Sequence, residues 1–282
     1  MAMAAPAMIT RPILSSGEAM PVVGLGTSQV FDVGEGATAR QPLAEVLRRL
    51  LDSGGKIIDT SPMYGRAEAV TGDLVAEAGA RPRVFLATKV WTSGREAGIA
   101  QMRRSAELLK TPVLDLIQVH NLLDWRTHLA TLRQMKEKGQ VRYIGITHYT
   151  TGSLPELARI LQDEPGIDFV QCAYSLGTRA AETALLPIAA ERKVAVIVNR
   201  PFEDGDMFRR VRGRALPEWA GEFDCASWAQ LFLKYIIAEP AVTCAIPATS
   251  NPEHMADDLK AGIGRLPDAK QRQQIRQLWD SL

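Results

Sequence analysis

The sequence is poor in the residues that build covalent or metal-bound scaffolds. Its three cysteines, Cys172, Cys225 and Cys244, lie far apart and form no C-x-x-C pair. A disulfide framework is therefore not expected, and unpaired thiols fit a reducing compartment. The four histidines, His120, His128, His148 and His254, form no ligand cluster, so no metal site is expected. Charge of one sign is also missing: 33 lysines and arginines face 32 aspartates and glutamates, for a net charge of +1. A broad surface for nucleic acid or anionic membrane needs a basic excess, so neither partner is expected. No run approaches the roughly 20 apolar residues that span a bilayer. The N-terminal stretch from Met1 to Pro12 has small apolar residues but neither a basic start nor a sustained apolar stretch, and as it stands is not a signal peptide. These absences together predict a cytoplasmic protein.

What is present is an ordinary globular composition, 46% hydrophobic and 23% charged over 282 residues. Length alone allows one large α/β domain or two small ones. The order of elements decides between them. After a flap from Pro12 to Met20, with a turn at Ser16-Gly17, a short apolar strand runs from Val22 to Gly26. Leu43, Val46, Leu47, Leu50 and Leu51 then form a helical stripe, with Pro42 in the first turn and Gly54-Gly55 as the stop. Further strands are expected at Ile57-Ile58, Val84–Lys89, Leu114–His120, Tyr143–Thr147, Phe169–Ala173, Lys193–Val198 and Val242–Ile246. Helices are expected between them, including one over Ala181–Glu191 and one over Cys225–Ala238, with a last helix around Ile275, Leu278 and Trp279. Eight strand-helix units in about 250 residues, with strands short enough to be fully buried, predict a (β/α)8 barrel in one domain over residues 1–282. The competing open doubly wound sheet usually carries G-x-G-x-x-G after its first strand. Here only Gly24 and Gly26 of that pattern are present.

In a barrel the C-terminal strand ends ring one mouth. Those ends carry Asp59, Lys89, His120, Thr147-His148, Gln171, Asn199-Arg200 and Pro247-Thr249, and Tyr64 follows Asp59 by five positions. Taken singly, Asp59 reads as a helix cap, Lys89 as a solvated lysine and His120 as a core histidine. Ionisable groups on three adjacent strand ends read as a site. A free tyrosine ionises near pKa ~10, and a cation within about 4–6 Å lowers that value. Lys89 is the candidate cation, Asp59 its anchor, and His120 a hydrogen-bonding group for a reacting oxygen. Such a set suits proton transfer to a carbonyl or alcohol oxygen. No side chain in it donates hydride, so any redox chemistry needs a cofactor.

Six motifs, in order, resemble the aldo-keto reductase superfamily from about Val22 to Gly262. They are IDTSPMYG (Ile58–Gly65), ATKVW (Ala87–Trp91), DLIQVHN (Asp115–Asn121), VRYIGIT (Val141–Thr147), QCAYS (Gln171–Ser175) and IPATSNPEH (Ile246–His254). The resemblance implies a (β/α)8 barrel that reduces aldehydes or ketones with a nicotinamide cofactor, NADP(H) favoured over NAD(H). It implies Tyr64 as general acid, with Lys89, Asp59 and His120 completing the catalytic set. It places Gly26, Thr27 and Asp59 near the nicotinamide, Thr147, His148 and Gln171 at the carboxamide, and Trp91 and Asn121 in the substrate pocket. Along the rest of the cofactor it points to Asn199, Arg200, Phe202, Pro247, Thr249, Asn251 and His254. The chain departs from the family where an aromatic-Ser-Pro-Leu run becomes Asn199-Arg200-Pro201-Phe202, and where Ala248 and His254 replace basic residues that hold a 2′-phosphate. The start of the helix at Thr249-Ser250-Asn251 still suits an anion. The arginine-rich run from Phe208 to Arg214 reads as a solvated loop or as a flap on the cofactor phosphates. The family is often monomeric, and a small carbonyl compound is the expected partner. Two other readings stay open: a Schiff-base lyase using Lys89, and a cofactor-binding regulatory module without turnover.

Overall fold

The computed structural model describes residues 7–282; the reading of Met1–Pro6 lies outside these. An antiparallel hairpin comes first, β1 (Thr10–Pro12) with β2 (Ala19–Pro21). Its turn closes through the Gly17 amide, which donates to the Ile13 carbonyl at 2.8 Å. Then follow β3 (Leu25–Gly26), α1 (Ala37–Asp52), β4 (Ile57–Asp59), α2 (Ala67–Glu77), β5 (Phe85–Val90), α3 (Arg95–Leu108), β6 (Leu114–His120), α4 (Trp125–Glu137) and β7 (Val141–His148). The second half comprises α5 (Leu154–Asp163), β8 (Phe169–Ala173), α6 (Ala181–Ala184), α7 (Leu186–Glu191), β9 (Ala195–Asn199), α8 (Asp206–Arg210), α9 (Trp228–Ile237), β10 (Cys244–Ala245), α10 (Pro252–Lys260) and α11 (Ala269–Ser281).

Strands β3 to β10 form one eight-stranded parallel sheet in sequence order. Parallel bridges Val23–Ala245 and Gly26–Ala248 join its two edges, so the sheet closes into the expected barrel. The Gly24 amide donates to the Ala245 carbonyl at 2.9 Å across this seam. A Cβ at Gly24 would lie 1.9 Å from Ile57 Cγ2, so the close approach requires glycine.

Two apolar regions hold the fold together. Ile57, Phe85, Leu116, Tyr143, Phe169 and Ala195 fill the lower barrel, and Ile13 and Met20 of the hairpin plug it from below. Tyr143 donates to Ser16 Oγ at 2.7 Å, which seats the plug. A larger shell, including Leu43, Val46 and Leu50 of α1, lies between helices and sheet. Burial contributes about 1.5–3 kcal/mol for each large side chain, and Phe169→Ala would leave a cavity costing about 3–5 kcal/mol.

Several boundaries differ from expectation, and α9 begins at Trp228 rather than Cys225. Helix α1 begins at Ala37, so Pro42 is inside it rather than in its first turn. The Thr38 carbonyl loses its helical partner there. Arg40 steadies this first stretch by donating to Asp73 at 2.6 Å and to the Gly34 carbonyl at 3.0 Å. The expected helix over Ala181–Glu191 is two pieces, because Pro187 has no amide hydrogen and the chain breaks at Leu185 (φ −129°, ψ −45°). The first and last barrel strands are two residues each, shorter than their apolar runs.

Candidate active site

Sequence places Asp59 as the last residue of β4, and the ladder pairs it with Ala87 of β5. Lys89 therefore stands two residues higher on the same interior face, beside Gln118 of β6. The Lys89 ammonium donates to Asp59 Oδ2 at 2.6 Å and to the Thr60 carbonyl at 2.8 Å. Asp59 Oδ1 accepts from Gln171 Nε2 at 2.9 Å and from Gln118 Nε2 at 3.3 Å. Gln171 Oε1 in turn accepts from Thr147 Oγ1 at 3.1 Å and Asn199 Nδ2 at 3.2 Å. One polar layer thus ties together six strands at the barrel mouth.

Tyr64 rides the turn after β4, held by its amide on the Ser61 carbonyl at 3.0 Å. Its ring centroid is 5.2 Å from Lys89 Nζ and 6.1 Å from the His120 ring, edge to face. Burial works to lower the Lys89 pKa, but Asp59, Tyr64 and Glu68 together raise it above the ordinary lysine value, so the group is a cation. His120 goes the other way: burial, with the Lys89 and His148 charges, pushes it down to about 3. It is a neutral imidazole at physiological pH.

Asp59, Tyr64 and His120 face a cavity of about 900 Å³. Of the residues expected in the site, Gly26, Thr27, Asp59, Tyr64, His120, Asn121, Thr147, Gln171, Asn199, Arg200, Phe202, Thr249 and His254 line it. Lys89 is fully buried behind Asp59 and does not. Nor do four other expected residues. The His148 ring is engaged by the Thr150 amide at 3.2 Å and stacks on Tyr149 at 5.5 Å. The Pro247 carbonyl accepts from the Gly26 amide at 2.9 Å. Asn251 caps α10 by accepting from the Glu253 amide at 2.9 Å. Trp91, expected in the pocket wall, is 40% exposed outside it. Its amide and carbonyl are both bound by the Gln101 side chain, at 2.6 and 3.2 Å, which turns the loop toward α3.

Phe208, at the start of the arginine-rich run, lines the cavity, but none of the arginines that follow it does. Arg209 pairs with Asp206, while Arg210 lies 4.3 Å over the Trp279 ring and donates to the Trp279 carbonyl at 3.0 Å. Arg212 and Arg214 are exposed. Arg200 is the arginine on the wall, and it pairs with Asp204 at 2.7 Å.

Sequence reasoning missed Tyr149, Phe208, Ser227, Trp228, Asp257 and Asp258, all on the wall. Asp257 and Asp258 follow His254 by three and four positions on α10, a spacing that could have placed them on its face. Asp257 accepts from Ser227 Oγ and Gln230 Nε2, each at 2.6 Å, and burial beside it raises the Asp258 pKa well above the carboxylate range. Trp228 gave no such signal, because an aromatic at the start of an apolar helix reads as core. The Arg214 carbonyl holds its indole N–H at 2.9 Å.

A closed parallel barrel with acid-base groups ringing a deep mouth cavity defines a (β/α)8-barrel enzyme. The model of the aldo/keto reductase family matches residues 22–280, and the chain belongs to that family. It is an oxidoreductase of the aldo-keto reductase type. It is similar to methylglyoxal reductase YeaE of Escherichia coli, 29% identical over 262 residues, with 88% of each chain covered. It is similar to an aldo-keto reductase of Mycobacterium sp. strain KMS, 33% identical, covering 86% of this chain and 83% of that one. Among solved structures it is similar to an aldo-keto reductase from Klebsiella pneumoniae in complex with NADPH. That match has a TM-score of 0.80 at 25% identity, over 98% of this chain and 96% of the other. Among the described residues no helix is long and apolar enough to cross a membrane.

Proposed function

We propose that the protein reduces a small aldehyde or ketone to an alcohol, using a nicotinamide dinucleotide. The observation that carries this reading is the pairing of Tyr64 and neutral His120 on one cavity wall, in front of a buried Lys89–Asp59 ion pair. Relatives support it: one is named for methylglyoxal reduction, and another binds NADPH.

The wall has features that suit the cofactor. Asn199 Oδ1 is buried with no hydrogen-bond partner, an acceptor free for a carboxamide N–H. A Cβ at Gly26 would lie 2.9 Å from the Ile246 carbonyl, so the backbone there stays bare beside the cavity. Asn199, Gln171 and Thr147 would hold the carboxamide, and Thr249 with the start of α10 would hold phosphate. When bound, the reduced nicotinamide supplies hydride to the carbonyl carbon. NADP(H) is the favoured cofactor, on the relatives' example. NAD(H) is the alternative, because the wall offers a 2′-phosphate only His254 and the paired Arg200.

In this reading the Tyr64 hydroxyl gives its proton to the carbonyl oxygen as charge develops there, and the His120 ring donates a hydrogen bond to the same oxygen. The Lys89 cation stabilises the phenolate that Tyr64 leaves, and Asp59 keeps Lys89 charged and in place. The Schiff-base alternative loses ground, because Lys89 is cationic and walled off from the cavity. Tyr64→Phe is the test, assayed by NADPH oxidation with methylglyoxal and a panel of other carbonyls. Turnover should fall by about 10²–10⁴ while cofactor binding, read by fluorescence, is unchanged. Retained turnover would overturn the role of Tyr64. Tight cofactor binding by the unmodified protein with no turnover on any carbonyl would favour the regulatory reading.

A further inference from the structure

Ser61 lies in the turn between β4 and Tyr64, fully buried. Its Oγ sits 3.2 Å from His120 Nδ1 and accepts from the Met63 amide at 3.2 Å. A serine hydroxyl has one hydrogen to give, and a backbone amide can only donate. His120 Nδ1 is the one acceptor within hydrogen-bond distance of that hydroxyl among the described residues. The hydrogen therefore points at Nδ1, which must carry a lone pair. On a neutral imidazole the proton then sits on Nε2. No described side chain or carbonyl accepts from Nε2, and His120 lines the cavity.

We propose that Ser61 is a positioning residue that holds His120 as the Nε2–H tautomer, so that the ring presents a donor to the substrate oxygen. This rests on the carbonyl-reductase reading above. The opposite tautomer would aim a bare lone pair at the developing oxyanion and repel it. The chemistry of the turn supplies the selection: with Nδ1 protonated, the serine oxygen could accept from it beside the Met63 amide, but the buried hydroxyl hydrogen would then have no acceptor. An alanine at 61 would leave the two neutral tautomers free to interconvert. A threonine would restore the hydroxyl.

The experiment is a long-range ¹⁵N–¹H correlation spectrum of the full-length protein labelled at histidine, with His120 assigned by its loss in His120→Gln. The expected pattern at pH 7 is a pyridine-type Nδ1 and a pyrrole-type Nε2. In Ser61→Ala the two nitrogens should move toward averaged shifts. Turnover should fall about tenfold, well short of the loss from a ring locked in the wrong tautomer, with the cofactor Kd within about twofold and Ser61→Thr recovering most of the loss. A pyrrole-type Nδ1 in the unmodified protein would overturn the proposal, whether or not the variants fold. So would a Ser61→Ala protein with unchanged shifts and full turnover. The spectrum needs no substrate, so a protein that reduced no carbonyl would refute the functional reading and leave the tautomer assignment to be judged separately.

Discussion

Replacing Asp59 by asparagine probes the site through its least visible member. Lys89 is fully buried and Asp59 only 2% exposed, so their pairing is screened little by solvent. Burial is the largest influence on Lys89 and acts to lower its pKa from the ordinary 10.5; the attraction of Asp59 is the largest influence raising it. Take away the carboxylate charge and the burial remains. Glu68 also raises the Lys89 pKa, but it is the smallest of the influences that do so. The asparagine amide would also point donors at Gln171 Nε2 and Gln118 Nε2, which donate to Asp59 Oδ1. Removing one partner of a buried ion pair costs about 3–5 kcal/mol, a large part of the roughly 5–15 kcal/mol that keeps a domain folded. The pH dependence separates this cause from simple misfit. In the unmodified protein the folded pKa of Lys89 lies above 10.5, so its contribution is fully present below that pH and is lost only above it. In Asp59→Asn the folded pKa falls below the unfolded one. The unfolded chain then holds the proton more tightly, and stability rises with pH by up to about 1.4 kcal/mol per unit before levelling near the ordinary lysine pKa. Urea unfolding at each pH from 7 to 10 reads this slope, with the Asp59→Asn/Lys89→Met double variant expected to be flat. An Asp59→Asn curve parallel to that of the unmodified protein would refute the electrostatic account.

Other outcomes follow from the same geometry. His120 titrates at about 3 in the folded protein, so the pH–rate profile should show no histidine limb from His120 between pH 5 and 8. Its stability contribution is present above the ordinary value of 6.5 and is lost as pH falls toward 3, which acid unfolding of His120→Gln against the unmodified protein would reveal as a shallower decline. Arg272 is 16% exposed, pairs with Glu182 and Glu239 at 3.2 and 2.8 Å, and donates to Tyr174 at 2.8 Å. Arg272→Met should cost about 3 kcal/mol in urea unfolding and leave the active-site chemistry unchanged. His254→Arg adds a fixed cation to a wall that carries Asp257 and Asp258. It should shift the ratio of NADPH to NADH affinity by about tenfold toward NADPH, which is about 1.4 kcal/mol; no shift would place the 2′-phosphate elsewhere.

The barrel was legible because its strands are buried on both faces and read as apolar runs, separated by helical stripes such as Leu43 to Leu51. The convergence of Asp59, Tyr64 and His120 was legible for the same reason: once the strands are ordered, their ends share one mouth. What failed was set by tertiary contacts. Pro42 looked like a helix start, but Arg40 anchors an earlier turn to Asp73. The family resemblance put Trp91 in the pocket wall, yet Gln101, ten residues on, binds its backbone and turns it out. The arginines from Arg209 onward could be read only as a solvated loop or a flap on phosphates, because charge alone was visible; Arg212 and Arg214 are exposed, and the other two engage Asp206 and the Trp279 ring. Trp228 and Phe208 came to the cavity from the segment after β9, where no strand register constrains position.

The polar layer explains why residues so distant in sequence act as one unit. Asp59 spends one carboxylate oxygen on Lys89 and the other on two glutamines, so none of its strong acceptor positions is left idle in the barrel wall. Gln171 is fixed in one orientation by those neighbours, because its amide nitrogen must face the Asp59 carboxylate and its oxygen must face Thr147 and Asn199. Asn199 then has its own nitrogen committed to Gln171 and its oxygen left without a partner. Within this layer Gln118 Oε1 and Asn199 Oδ1 are the acceptors left without a partner, and Asn199 is the one of the two residues on the cavity wall. An aromatic residue at 199 could stack on a nicotinamide but could not carry that hydrogen-bond polarity back to Asp59. The asparagine at 199 links the cavity wall through Gln171 and Asp59 to the ion pair beneath Tyr64.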